Sequence, residues 1–207
     1  KLIASSSTYR QSSQASADEL VTDPEIDLLT HANRYHLPAE MLRDNALLVS
    51  GLLVDKQGGP PVKPYEVAES FKPVARGKGE QLYRRSLYTY WRRTAPAPVM
   101  MTLDAAKREV CSVARERTSN PLHAIVLLND PQYVEAARKM GENLLKEFGN
   151  DHKAAVAKAF EQLTSRAAED AELAVILSSF QQQLAYFKKH PDETNQFLST
   201  GDAPRDM

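Results

Sequence analysis

A single cysteine, Cys111, stands in 207 residues. That excludes an internal disulfide and any thiolate-rich metal site, and Cys111 itself is expected to be buried and inert. Long apolar runs are missing too. The longest, Leu122 to Leu128, is broken by His123 and falls well short of the roughly 18 residues a spanning helix needs, so no membrane span is expected. Charge of one sign is not in excess: 26 Lys and Arg face 27 Asp and Glu, a formal net of −1, which leaves no global field to draw in nucleic acid. His31, His36, His123, His152 and His190 form no His-Glu-x-x-His pattern, and no metal site is expected. Ser5-Ser6-Ser7 lacks the Gly-x-Ser-x-Gly elbow of a serine hydrolase. Gly58-Gly59-Pro60 lacks the lysine and helix start of a phosphate loop and reads as a turn.

What is present is ordinary globular composition, 42% hydrophobic and 26% charged, on a chain long enough to bury a good core. A mainly α fold is expected, an antiparallel helical bundle with one or two short β-strands in an Arg- and aromatic-rich middle segment. The whole reads as one mostly helical domain over 1–207. Residues 1–130 carry the N-terminal helices and the Arg-rich strand and loop region, and 131–207 carry the bundle part. Residues 1–22 read as a short helix and a loop. Pro38 opens a helix whose Met41, Leu42, Leu48, Val49, Leu52 and Leu53 make one apolar stripe. Eight glycines and prolines between 55 and 80 imply a long irregular connection. Residues 83–93 are aromatic and β-prone and predict a strand, and 104–117 predict a helix. Asn120-Pro121 and Asp130-Pro131 are cap-plus-proline starts. The first opens a helix apolar nearly all round, expected to be the most buried element; the second opens one that Gly149 stops. Helices centred on Val156 to Leu163, Leu173 to Phe187 and Asn195 to Leu198 follow. The first residue is Lys1 and the last seven are a polar tail, so both ends read as cuts through a longer chain.

The middle holds the unusual chemistry. From Arg76 to Arg117, ten Lys or Arg residues face four acids, interleaved with Tyr83, Tyr88, Tyr90 and Trp91. Guanidinium binds carboxylate, sulfate or phosphate through paired hydrogen bonds, and aromatic faces stack on sugars or on guanidinium. Arg84, Arg85, Tyr88, Tyr90, Trp91, Arg92, Arg93, Arg115 and Arg117 are therefore the candidate ligand-binding set, for an acidic or sulfated polysaccharide. The competing and preferred reading makes the same arginines a structural network. They would cap carbonyls and pair with Asp44, Asp104, Glu109 and Glu116, because half-buried arginines without partners cost on the order of several kcal/mol. Glu40, Asp44 and Asp104 are the candidate acid–base carboxylates. Glu40 and Asp44 lie one helical turn apart, where like charge raises one pKa, although acids near a helix start need no function. His123 is the remaining catalytic candidate, with a core hydrogen bond as its alternative.

Several segments in order carry a resemblance. They are Thr8-Tyr9-Arg10-Gln11-Ser12-Ser13, Asn33 through Asp44, Val49-Ser50-Gly51 with Gly58-Gly59-Pro60, and Tyr83-Arg84-Arg85-Ser86-Leu87-Tyr88. Arg108 to Cys111, Arg115 to Thr118 and Pro121 to Pro131 follow. The series resembles the domain of unknown function 1553 family, of planctomycete type. The resemblance implies an exported, periplasmic or extracellular multidomain protein, whose companion domains often include a c-type haem domain or carbohydrate-binding modules. This stretch has no Cys-x-x-Cys-His, so a haem would sit on another segment and no cofactor is expected here. The expected partners are other domains of the same protein, a haem domain among them, with acidic polysaccharide second. The expected function is a structural or interaction module. The alternative is an enzyme acting on polysaccharide, with Asp44 and Asp104 as acid and base and the arginines as anion clamp.

Overall fold

Small polar residues and prolines set the helix starts as the sequence announces them. Asn120 and Asp130 accept the amides of Leu122 and Gln132, each at 3.0 Å. A proline follows each cap, its ring presetting φ where an N–H would have gone unpaired. A computed structural model describes residues 1–34, 36–66, 75–92, 94–108, 111, 113–115 and 117–205. It is mainly α, and it divides into two units, Lys1–Leu37 and Pro38–Met207.

In the N-terminal unit, α1 spans Leu2–Ser5 and α2 Ala17–Thr22. Ser16 and Glu19 form a reciprocal capping box at the start of α2. The buried Asp23 carboxylate accepts from Leu28 N, Thr30 N and Thr30 Oγ1 at 3.1–3.4 Å. Burial pushes its pKa up, and these hydrogen bonds more than offset that, holding it below the usual carboxylate range.

The second unit contains α3 (Ala39–Val49), α4 (Pro98–Thr102), α5 (Pro121–Asn129), α6 (Pro131–Phe148), α7 (His152–Thr164), α8 (Asp170–Lys189) and α9 (Pro191–Leu198). α6 is the hub, packed on α3, α5 and α7, while α8 packs on α7 and α9 on α8. One core gathers Ala39, Tyr65, Ala97, Met100, Leu103, Ala105 and Tyr133. A smaller one joins Met140 and Leu144 of α6 to Ala155 of α7. Gly149, at φ 58°, ends α6 as expected.

Four expectations are corrected. The strand over 83–93 does not form in its described residues, which hold a 3-10 turn at Ser86–Tyr88 between two isolated bridges, Val54 with Arg84 and Val62 with Thr89. The groups a ladder would use are taken by side chains and local turns: Ser86 N goes to Asp44, Arg84 O to Arg43, and Arg85 O to Tyr88 N. The helix over 104–117 does not form in its described residues. α4 instead closes in a Schellman motif, with Ala105 N bonded to Met100 O, Asp104 N to Met101 O, and Asp104 in the left-handed region at φ 59°. α5 is not the most buried element. It buries no residue, and Leu122, Ile125 and Leu128 are exposed, because only part of its circumference meets α4 and α6. Cys111 is exposed rather than buried.

Candidate functional site

The site is built around a charge set in an apolar stripe. Ala39, Arg43 and Leu47 recur every four residues on the buried face of α3, and Arg43 is 1% exposed. Helix α3 therefore points a guanidinium into the protein, where each N–H needs an acceptor. Nη2 donates to Leu82 O at 2.6 Å, Nη1 to Arg84 O at 2.9 Å and Ser86 Oγ at 3.1 Å, and Nε to Gln132 Oε1 at 2.8 Å. Gln132 passes the link on, donating to Pro64 O at 2.7 Å. Asp44, the next residue, accepts Ser86 N at 2.7 Å and lies 3.8 Å from Arg43 Nη1. One turn of α3 thus grips the 82–86 backbone by carbonyl and amide together.

Arg84 does the same for the next loop. Its guanidinium, 5% exposed, donates to Gly58 O at 2.5 Å, Lys56 O at 2.8 Å and Pro60 O at 3.1 Å. It lies 4.0 Å from the centroid of Tyr88, whose hydroxyl accepts Gly58 N at 2.8 Å. The carbonyls converge because Gly58 and Gly59 take φ of 72° and 87°, which suits glycine.

The other candidates are placed as follows. Arg85 pairs with Asp55 at 3.0 Å and Arg115 with Glu40 at 2.9 Å, both on exposed ground. Tyr90 carries Lys63 over its ring at 5.2 Å. Trp91 donates Nε1 to Lys107 O at 2.9 Å and lies 4.8 Å from the Arg108 guanidinium. Arg92 is half-buried and Arg117 exposed, and both are engaged. Arg93, Glu109 and Glu116 lie outside the described residues. Asp104 accepts Thr118 N at 2.7 Å and Thr118 Oγ1 at 2.9 Å, and His123 Nε2 comes within 3.8 Å of it. The structure therefore brings Arg84 and Tyr88 together at one loop, Asp104 and His123 at another, and joins Glu40 and Asp44 to different partners.

Behind Arg43 lie Tyr65 and Tyr133, both buried. Burial pushes the Tyr65 hydroxyl up to about 12, Arg43 pulling the other way. Burial also raises Tyr133 and the Asp130 carboxyl. The Tyr65 and Tyr133 hydroxyls are buried without a hydrogen-bond partner among the described residues. Among those residues no group of three or more His, Cys, Asp or Glu converges as a metal site. A cavity of about 250 Å³ opens in the N-terminal unit beside Ser13, His31, Asn33 and Arg34; no candidate residue lines it.

Sequence reasoning passed over Arg43, Glu135 and Arg138. A signal was available for Arg43, whose neighbours four residues away on either side are Ala39 and Leu47; Glu135 and Arg138 have charged residues at helical spacing and carry no such signal. Chemically, guanidinium groups whose Nη atoms donate to backbone carbonyls are tie points for loops.

The family model described as Protein of unknown function (DUF1553) matches residues 1–180. The chain belongs to this family. No curated protein and no solved structure matches it. The DUF1553 match spans α3, the 82–88 turn and α6, so the whole knot around Arg43 and Arg84 falls within the family region. No helix among the described residues is long and apolar enough to cross a membrane.

Proposed function

We propose that this chain is a non-catalytic interaction module of an exported multidomain protein, docking against another domain of that protein. The observation that carries the reading is the use made of its most buried cations. Arg43 and Arg84 direct their guanidinium groups at carbonyls of their own chain, five in all. Support also comes from α5, where Leu122, Ile125 and Leu128 follow one another at helical spacing and stay exposed. That leaves an apolar stripe of the kind protein partners cover.

The enzymatic reading has less support. Asp44 and Asp104, its acid and base, are each engaged by a backbone N–H of their own chain, Ser86 and Thr118 respectively, and meet different partners. The glycan reading keeps Arg85, Arg115 and Arg117, which are exposed. Titrating the protein with dextran sulfate over a salt series separates the three. The module reading expects no salt-sensitive binding that depends on Arg85, Arg115 and Arg117, and no polysaccharide turnover. Binding abolished by alanine at those three would transfer the function to acidic glycan recognition. Turnover lost in a folded Asp44→Asn chain would transfer it to catalysis.

A further inference from the structure

Helix α6 carries two buried ionic side chains that the arginine knot does not use. Glu135 is 3% exposed and Arg138 8%, and their spacing puts them on one helix face. Glu135 Oε1 accepts the amides of Asp202 at 2.6 Å and Ala203 at 2.5 Å, together with the Tyr83 hydroxyl at 2.8 Å. Arg138 Nη2 donates to Ala203 O at 2.8 Å, while Nη1 is held by Glu142 at 2.6 Å. A carboxylate thus takes the N–H groups of a peptide segment and a guanidinium takes its carbonyl. Charged acceptors and donors make such bonds stronger than neutral ones.

One position in the segment is selective. Gly201 sits at φ 93°, and a Cβ there would lie 2.2 Å from Glu135 Cδ. Asp202 adds an ion pair with Arg76 at the rim. The contacts to 202 and 203 otherwise use backbone alone, along a segment that bends from 201 to 203. The segment's flanks stay open: α9 buries no residue, and Pro204 and Arg205 are exposed.

We propose that Glu135 and Arg138 form a receptor for a bent, glycine-led peptide backbone, filled in this chain by its own residues 201–203 as a releasable latch. Tethering holds the tail at an effective concentration on the order of millimolar, so a peptide in trans enters only when the latch is displaced. Gly201→Val in the full chain displaces it. Fluorescence anisotropy with a labelled peptide of residues 199–205 should then show binding to the variant at least about tenfold tighter than to wild type. The same peptide carrying Val for Gly should not bind. Equal affinity for both proteins, or none for a folded variant, overturns the proposal. Amide exchange supplies a readout that does not depend on the variant folding. The Asp202 and Ala203 amides should be protected in the wild-type chain and exchange faster in Glu135→Gln. Wild-type amides that exchange at the unprotected rate overturn it as well.

Discussion

Between Gly79 and Ala105 the chain makes two short 3-10 turns and the five-residue helix α4. Yet Leu82, Arg84, Ser86, Thr89, Ala97, Met100, Leu103 and Ala105 are all buried there. Helix α8 runs unbroken for 20 residues and buries none. Between these two regions regular structure and burial have come apart, and the reason is where each finds partners for its backbone. A helix satisfies its own amides and carbonyls, so it can lie anywhere, including at the edge. An irregular segment enters a core only if something else supplies those partners. Here Arg43 and Asp44 supply them from α3, and Arg84 supplies them to the loop beyond. Buried arginine in this fold is a substitute for secondary structure.

The largest expected effect follows from removing that substitute. Arg43→Met keeps the apolar stem and strands two buried carbonyls and a hydroxyl, which should cost about 3–5 kcal/mol in denaturant unfolding. Arg43→Lys should recover little, because one ammonium cannot reproduce a fork aimed at Leu82 O, Arg84 O and Gln132 at once. A loss below about 1 kcal/mol would break the contrast between the two regions.

At the edge the expected effects are small. Leu128 is 74% exposed, so Leu128→Ser on α5 should change stability by no more than about 0.5 kcal/mol. A larger loss in the isolated chain would mean that α5 belongs to the core after all. The smallest effect is local and pH-dependent. At the start of α8, the Arg166 guanidinium and then the Glu169 amide hold the half-buried Glu172 carboxyl down at about 2, against an ordinary 4.5. Its folded value is depressed, so its contribution is present above about 4.5 and is lost as pH falls toward about 2. An NMR titration should place the Glu172 midpoint near 2 and move it toward 4.5 in Arg166→Ala. A midpoint already near 4.5 in the wild type would contradict the pairing.

The same contrast explains what could be read before the structure was known. Helices α5 to α9 were legible because their signals are local: Asn120-Pro121, Asp130-Pro131 and Gly149 each act within a turn of themselves. The helix expected over 104–117 was misplaced: α4 lies ahead of it at Pro98–Thr102 and ends where Asp104 takes the left-handed position that glycine usually marks. The false strand came from real β-preference in Tyr83 to Trp91 that long-range bonds from α3 override. Burial on α5 was misjudged because composition reports how apolar a helix is and says nothing of how many neighbours it has. At the site, Arg84 bonds three carbonyls of its own chain, contacts that composition and spacing do not locate. Arg43 was passed over, since a charge inside an apolar stripe reads as noise until its acceptors, some forty residues away, are in view.

Arg84→Ala tests the central claim most directly when one preparation is both melted and titrated with a sulfated glycan. Losing three carbonyl contacts at about 1–3 kcal/mol in total should lower Tm by about 2–10 °C and leave glycan affinity where it was. An unchanged Tm together with a salt-sensitive fall in affinity would show that Arg84 faces a ligand, and the account of the central segment would be wrong.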